Sequence, residues 1–212
     1  MGATTWLDRI TDETNVWLSA VKAEEANDLH SAATLFLNDA ASWLEKGSTV
    51  RAALSCSCAA DCLTKAGAVE QGKRLYFEAG VIYSEIADAR LSNSIRESLW
   101  ALQRAYECFV LAEDVKEAEG SRENFEILAK RANPFALGAS GFELPEIRPR
   151  TRAVTKGRTP PLAEGNAKAA LDLFLALRLK QRPRDDKDRQ LRRARTPELE
   201  LSAQESFVSQ LG

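Results

Sequence analysis

The sequence predicts an all-α protein, a short α-solenoid of antiparallel helical hairpins followed by a largely disordered basic tail with one or two short helices. Three observations lead there. All seven prolines lie beyond residue 133, and a stretch without the residue that lacks an amide proton and clashes with the preceding turn favours continuous helices. Apolar residues of that first part recur three and four positions apart and do not alternate, which is the helical period and not that of a strand. Finally, the chain aligns with itself at an offset of 46: Ala33 meets Ala79, Phe36 meets Ile82, Ala41 meets Ala87, Gly47 meets Asn93, Ser48 meets Ser94 and Cys62 meets Cys108. Agreement across two helices and their turn makes the repeating unit a hairpin, and hairpins that cannot bury their own apolar faces stack on their neighbours.

The helices follow in order. Thr11 or Asp12 is placed to cap a first helix bearing Val16, Trp17, Ala20 and Val21. Over 28–46, Leu29, Ala32, Ala33, Phe36, Ala40, Trp43 and Leu44 share one face, and Gly47 ends the helix. Ser48 can cap the next, about 49–66, whose face is Ala52, Ala53, Cys56, Ala59, Ala60 and Leu63 and which Gly67 closes. A helix over about 70–90 carries Leu75, Tyr76, Ala79, Ile82, Tyr83 and Ile86. Another, opened by Asn93 or Ser94, carries Ile95, Leu99, Leu102, Tyr106 and Phe109. A further one covers about 115–132 and stops before Pro134.

Within one hairpin, Phe36, Ala40, Trp43, Ala52 and Ala59 stand at the spacing of the tetratricopeptide pattern, and Ala60, Leu63, Gly72, Tyr76 and Ala79 satisfy later positions in the next helix pair. Over roughly 11–132 the chain resembles a tetratricopeptide-type array. It departs from the pattern in its period, which is longer than the usual ~34 residues, and in having Thr64 and Ser84 where a closing proline would stand. Its long helices, with Ala-Ala pairs and aromatics, are similar to those of the soluble NSF attachment protein family, and Leu211 is similar to that family's C-terminal leucine. The resemblance implies a right-handed solenoid and an adaptor's role in a multiprotein complex.

Charge divides the chain at the same place as proline. Residues 1–132 hold 14 basic against 21 acidic side chains, and 133–212 hold 15 against 10. The expected organisation is a repeat domain over 1–132, a flexible Pro/Gly/Arg linker over 133–161 and a tail over 162–212. In the tail, an amphipathic helix over about 163–182 presents Ala167, Ala170, Leu171, Phe174, Leu175, Leu177 and Leu179, with Lys168, Asp172, Arg178 and Lys180 mostly opposite. A chain of 212 residues, 44% hydrophobic and 28% charged, suits one packed domain with an appendage. With no apolar run long enough to span a bilayer and no leader-like start over Met1–Ile10, a cytoplasmic protein with reduced thiols is expected.

The sequence points away from catalysis. It has one histidine, His30, and neither a glycine-rich phosphate loop nor a nucleophile elbow. Cys58 and Cys62 lie one helical turn apart, but zinc asks for four ligands, so Cys56, Cys58, Cys62 and Cys108 read as small packing residues. No metal and no cofactor are expected. The expected function is a non-enzymatic adaptor or scaffold that binds one or more proteins through the repeat array, the tail helix or both. Trp6 and Trp17, at the end of the array where the first helix has a single neighbour, are the candidate groove residues, and Leu171, Phe174, Leu175, Phe207 and Leu211 are the candidate tail contacts. The tail helix has two possible seats, a partner or this chain's own groove. The alternative function is weak nucleic-acid or anionic-membrane binding through Arg178, Arg182, Arg184, Arg189, Arg192, Arg193 and Arg195.

Overall fold

The structure, a computed structural model, describes residues 15–132 and 162–181, with side chains from 166 in the second stretch. The described residues form seven α-helices and no strand: α1 Val16–Glu25, α2 Leu29–Glu45, α3 Thr49–Lys65, α4 Val69–Arg90, α5 Ile95–Leu111, α6 Val115–Ala132 and α7 Leu162–Gln181. From α1 to α6 each helix packs against the next in sequence. Two compact units divide the chain, Met1–Leu177 and Arg178–Gly212. Of the second, only the end of α7 is described.

Short connections enforce this sequential packing, and four of the five share one design. Ala26, Lys46, Ala66 and Ala112 end their helices. The next residue, Asn27, Gly47, Gly67 or Glu113, turns left-handed at φ 58, 75, 91 or 59°. Its amide donates to the carbonyl three residues back, as Gly47 N does to Leu44 O at 3.0 Å. The following amide reaches five back, as Ser48 N does to Trp43 O at 2.8 Å. These two bonds are the Schellman motif, which satisfies carbonyls that a helix end leaves bare. The same following residue is already the N-cap of the next helix, so one helix stops and its successor starts within three residues.

Capping refines the expected starts. Asn15, not Thr11 or Asp12, caps α1, its Oδ1 accepting from Leu18 N at 3.3 Å. Asp28 caps α2 and Asp114 caps α6 in the same manner. Ser94 is the cap of α5. Ser48 occupies the N-cap of α3 without a side-chain capping bond.

The offset of 46 holds for some positions only. Cys62 and Cys108 are both buried, and Gly67 and Glu113 share the left-handed turn. However, α4 has 22 residues where α2 has 17. Its exit turn also differs, with both Asn93 N and Ser94 N donating to Arg90 O. Asn93 is therefore no counterpart of the left-handed Gly47.

The core follows the helical period. Phe36, Leu37, Leu44, Leu63, Leu75, Ile82 and Phe109 are at most 2% exposed, and small residues let the helices between them approach closely. At Gly72 of α4 an added methyl would come within 3.1 Å of Ala60 O on α3, and at Gly80 within 2.8 Å of the Phe109 ring on α5. The apolar face of α7, Ala167, Ala170, Leu171, Phe174 and Leu175, belongs to the same buried cluster. That face is therefore covered within the chain itself. Arg178 does not stand opposite that face. It is 3% exposed, because it follows Leu171, Phe174 and Leu175 by seven, four and three residues and so falls on the same stripe.

Candidate functional site

Two concavities are candidates. The larger, about 550 Å³, is lined by Glu70, Lys73, Arg74, Phe77 and the turn Ala112 to Val115. Much of its charge is compensated internally, since Lys73 Nζ lies 3.3 Å from Glu70 and 2.7 Å from Glu113. The smaller, about 230 Å³, is lined by Asn15, Trp17, Asp39, Trp43, Arg51, Leu54 and Ser55, from the start of α1, the second half of α2 and the first half of α3. We take this second cleft as the candidate site, because it joins aromatic and aliphatic surface to a buried carboxylate and to Arg51, a cation without a salt bridge among the described residues.

Its floor is built around Asp39. This residue is 8% exposed although it sits between core positions of α2. Its two oxygens are engaged by different helices: Trp43 Nε1 donates to Oδ1 at 3.1 Å, and Ser55 Oγ of α3 donates to Oδ2 at 2.6 Å. A buried carboxylate is tolerated when its oxygens accept such bonds. In return Asp39 fixes the Trp43 indole, which is half-buried and stands as a platform at the cleft wall. Two cations cover that platform, Arg51 with its guanidinium carbon 4.3 Å from the ring centroid and Lys46 with Nζ at 4.8 Å. Neither forms a salt bridge among the described residues, whereas Lys65 pairs with Glu24 and Arg104 with Glu107.

Trp17 and Leu54 complete the lining. Trp17 is half-buried, its ring edge-on to Phe36 at 5.0 Å between centroids. Leu54 is 46% exposed and offers apolar surface to the cleft.

Burial holds several thiols and phenols of the core in their protonated form. Burial, reinforced by the charges of Asp61 and Glu24, pushes the Cys58 thiol up to about 11. Burial pushes Cys62 and Cys108 up to about 12. It also raises Tyr76, which donates to Asp61, and Tyr83. Thiols held in this way are poor nucleophiles at neutral pH. None of the four cysteines is in a disulfide. Among the described residues no cluster of three or more His, Cys, Asp or Glu is placed to hold a metal, and no helix is long and apolar enough to cross a membrane.

Of the residues singled out from sequence, Trp17 lines the cleft. Leu171, Phe174 and Leu175 are buried in the chain's own core at 4, 0 and 7% exposure, because a helix whose apolar stripe meets a core surrenders it to that core. No residue of α7 lines the cleft. Trp6, Arg182, Arg184, Arg189, Arg192, Arg193, Arg195, Phe207 and Leu211 lie outside the described residues. Sequence reading missed Asp39, Arg51, Leu54 and Ser55. A signal existed for Asp39, the one acid on the stripe Phe36, Ala40 and Trp43. Arg51, Leu54 and Ser55 carry none, since they meet Trp17 and Asp39 only after folding. No known protein family, curated protein or solved structure matches this chain.

Proposed function

We propose that this protein is a non-enzymatic interaction module of the tetratricopeptide type, an adaptor that holds a segment of a partner protein in the cleft between α1, α2 and α3. The observation that carries this reading is the pairing of exposed apolar surface with a rigid polar frame. Leu54 and Trp17 offer area that gains from being covered, and Asp39 holds Trp43 in place beforehand, which lowers the ordering cost of binding. At about 230 Å³ the cleft falls below the roughly 300–1,000 Å³ of small-molecule sites and suits a single bulky side chain. Consecutive packing of α1 to α6 and the recurring turn support the helical-repeat reading of the frame. The raised thiols speak against nucleophilic catalysis.

The test is a comparative capture from native lysate, quantified by mass spectrometry. It uses the full chain, Leu54→Glu, and as control Leu173→Glu, at an exposed position of α7 outside the cleft. Partners lost with Leu54→Glu and kept with Leu173→Glu support the reading. Partners kept equally by all three refute it. Circular dichroism of each variant separates loss of binding from loss of fold.

A further inference from the structure

Some cations of the helical region are held by an acidic neighbour. Lys65 pairs with Glu24, Lys73 with Glu70 and Glu113, Arg90 with Glu97, Arg104 with Glu107 and Arg122 with Glu126. Lys46 and Arg51 are set apart by the ring they share. They are exposed, they meet over one indole ring, and no carboxylate of the described residues pairs with either. Two positive charges are thereby gathered beside one cleft, in a region whose acidic side chains outnumber its basic ones by 21 to 14.

We infer that the cleft is selective for an acidic partner segment, in which one bulky apolar side chain enters between Trp17 and Leu54 and a neighbouring Asp or Glu rests on Arg51 and Lys46. The inference builds on the reading of the cleft as a partner site. An arginine stacked on an aromatic ring has its charge placed and its N–H edges directed outward, ready for a carboxylate fork. The depth of the cleft excludes a second anion, since Asp39 already lies at its floor with both oxygens engaged. The partner's carboxylate therefore belongs at the mouth, and only the apolar side chain goes in. Selectivity then has two parts, an apolar anchor that sets affinity and a rim charge that sets which segments are captured and how fast.

Three short fluorescein-labelled peptides test this by fluorescence polarisation on the full chain. They share a central Trp-Leu and differ in flanks of Asp/Glu, Asn/Gln or Lys/Arg. The acidic peptide should bind about tenfold more tightly than the neutral one, the basic peptide weakest, with the difference shrinking as salt rises. In the double variant Lys46→Glu, Arg51→Glu the order should reverse, an outcome that a merely destabilised protein cannot give. Equal binding of acidic and neutral peptides, unaltered by the double variant, overturns the inference and leaves the partner-cleft reading standing. Failure of every peptide together with unchanged capture by Leu54→Glu removes both. Residues 1–14, which include Trp6, Leu7 and Asp8 and lead into Asn15 at the cleft, are the competing occupant. If Trp6→Ala with Asp8→Asn in the full chain tightens binding of the acidic peptide about tenfold, the cleft belongs to the chain's own N-terminal residues and not to a partner.

Discussion

Gly80→Ala measures how closely α4 and α5 are seated. A methyl group on Gly80 meets three carbons of the Phe109 ring at 2.8, 2.9 and 3.0 Å, where relaxed carbon–carbon contact is about 3.5–4.0 Å. Ring or helix has to retreat by roughly half an ångström or more to reach that contact. The ring has nowhere to go, because Phe109 is 1% exposed and its edge-on neighbour Phe77 stands 5.6 Å away between centroids. Overpacking of this kind costs about 1–3 kcal/mol, while alanine regains up to about 1 kcal/mol of helix propensity over glycine. The net expectation is a loss of about 1–2 kcal/mol, read from urea unfolding followed by circular dichroism. Gly120 of α6 is the internal control. Nothing lies within 4 Å of its added methyl, so Gly120→Ala should gain about 0.5–1 kcal/mol. In a Phe109→Leu background the Gly80→Ala penalty should shrink, since the ring carbons it strikes are gone. A Gly80→Ala protein as stable as its parent, or a penalty indifferent to Phe109→Leu, refutes the reasoning.

Other expectations follow from single features. Gly47 has φ +75 and open space around it, so Gly47→Ala isolates backbone strain and should cost about 1 kcal/mol in a urea melt, with Gly47→Asn costing less. Cys58, Cys62 and Cys108 are raised from 9.0 to about 11, 12 and 12, and Tyr76 and Tyr83 are raised as well. The folded state thus keeps protons that the unfolded chain has released; the stabilisation is complete below about pH 9 and is lost as pH climbs towards 12. Urea midpoints should fall across that window, and a level profile contradicts the assignment. Both nitrogens of His30 are buried without a hydrogen-bond partner among the described residues, so His30→Leu, of similar volume, should raise stability by about 1–2 kcal/mol. A lower midpoint would show that imidazole packing outweighs its unmet polarity. Asp39→Ala strands Trp43 Nε1 and costs Ser55 one of its bonds, which should lose about 1–3 kcal/mol and shift tryptophan emission.

What could be read in advance divides along the range of the interactions. Helix positions were legible because Phe36, Ala40 and Leu44, or Leu75, Ala79 and Ile82, reveal their face through local spacing alone, and Gly47 and Gly67 mark turns by their own backbone freedom. Asn27 and Glu113 adopt the same left-handed turn without glycine, so those turns were set by the helices on either side and left no local mark. The cleft was legible only at Trp17. Asp39 gains its partners from Ser55, sixteen residues on, and no periodicity reports such a pairing. Arg178 was misplaced for a related reason: charge suggested an outward position, and the stripe of Leu171, Phe174 and Leu175 carried it inward.

The sequential packing of α1 to α6 and the membership of α7 in the same core give this chain a calendar. Contacts between consecutive helices close small loops and form quickly, so α1 to α6 can assemble pair by pair as the chain leaves the ribosome, N-terminal end first. The face of α7 is synthesised later, after the residues 133–161 that separate it from α6. For that interval the core lacks Phe174 and Leu175, and a nascent chain halted there would expose the surface that they cover.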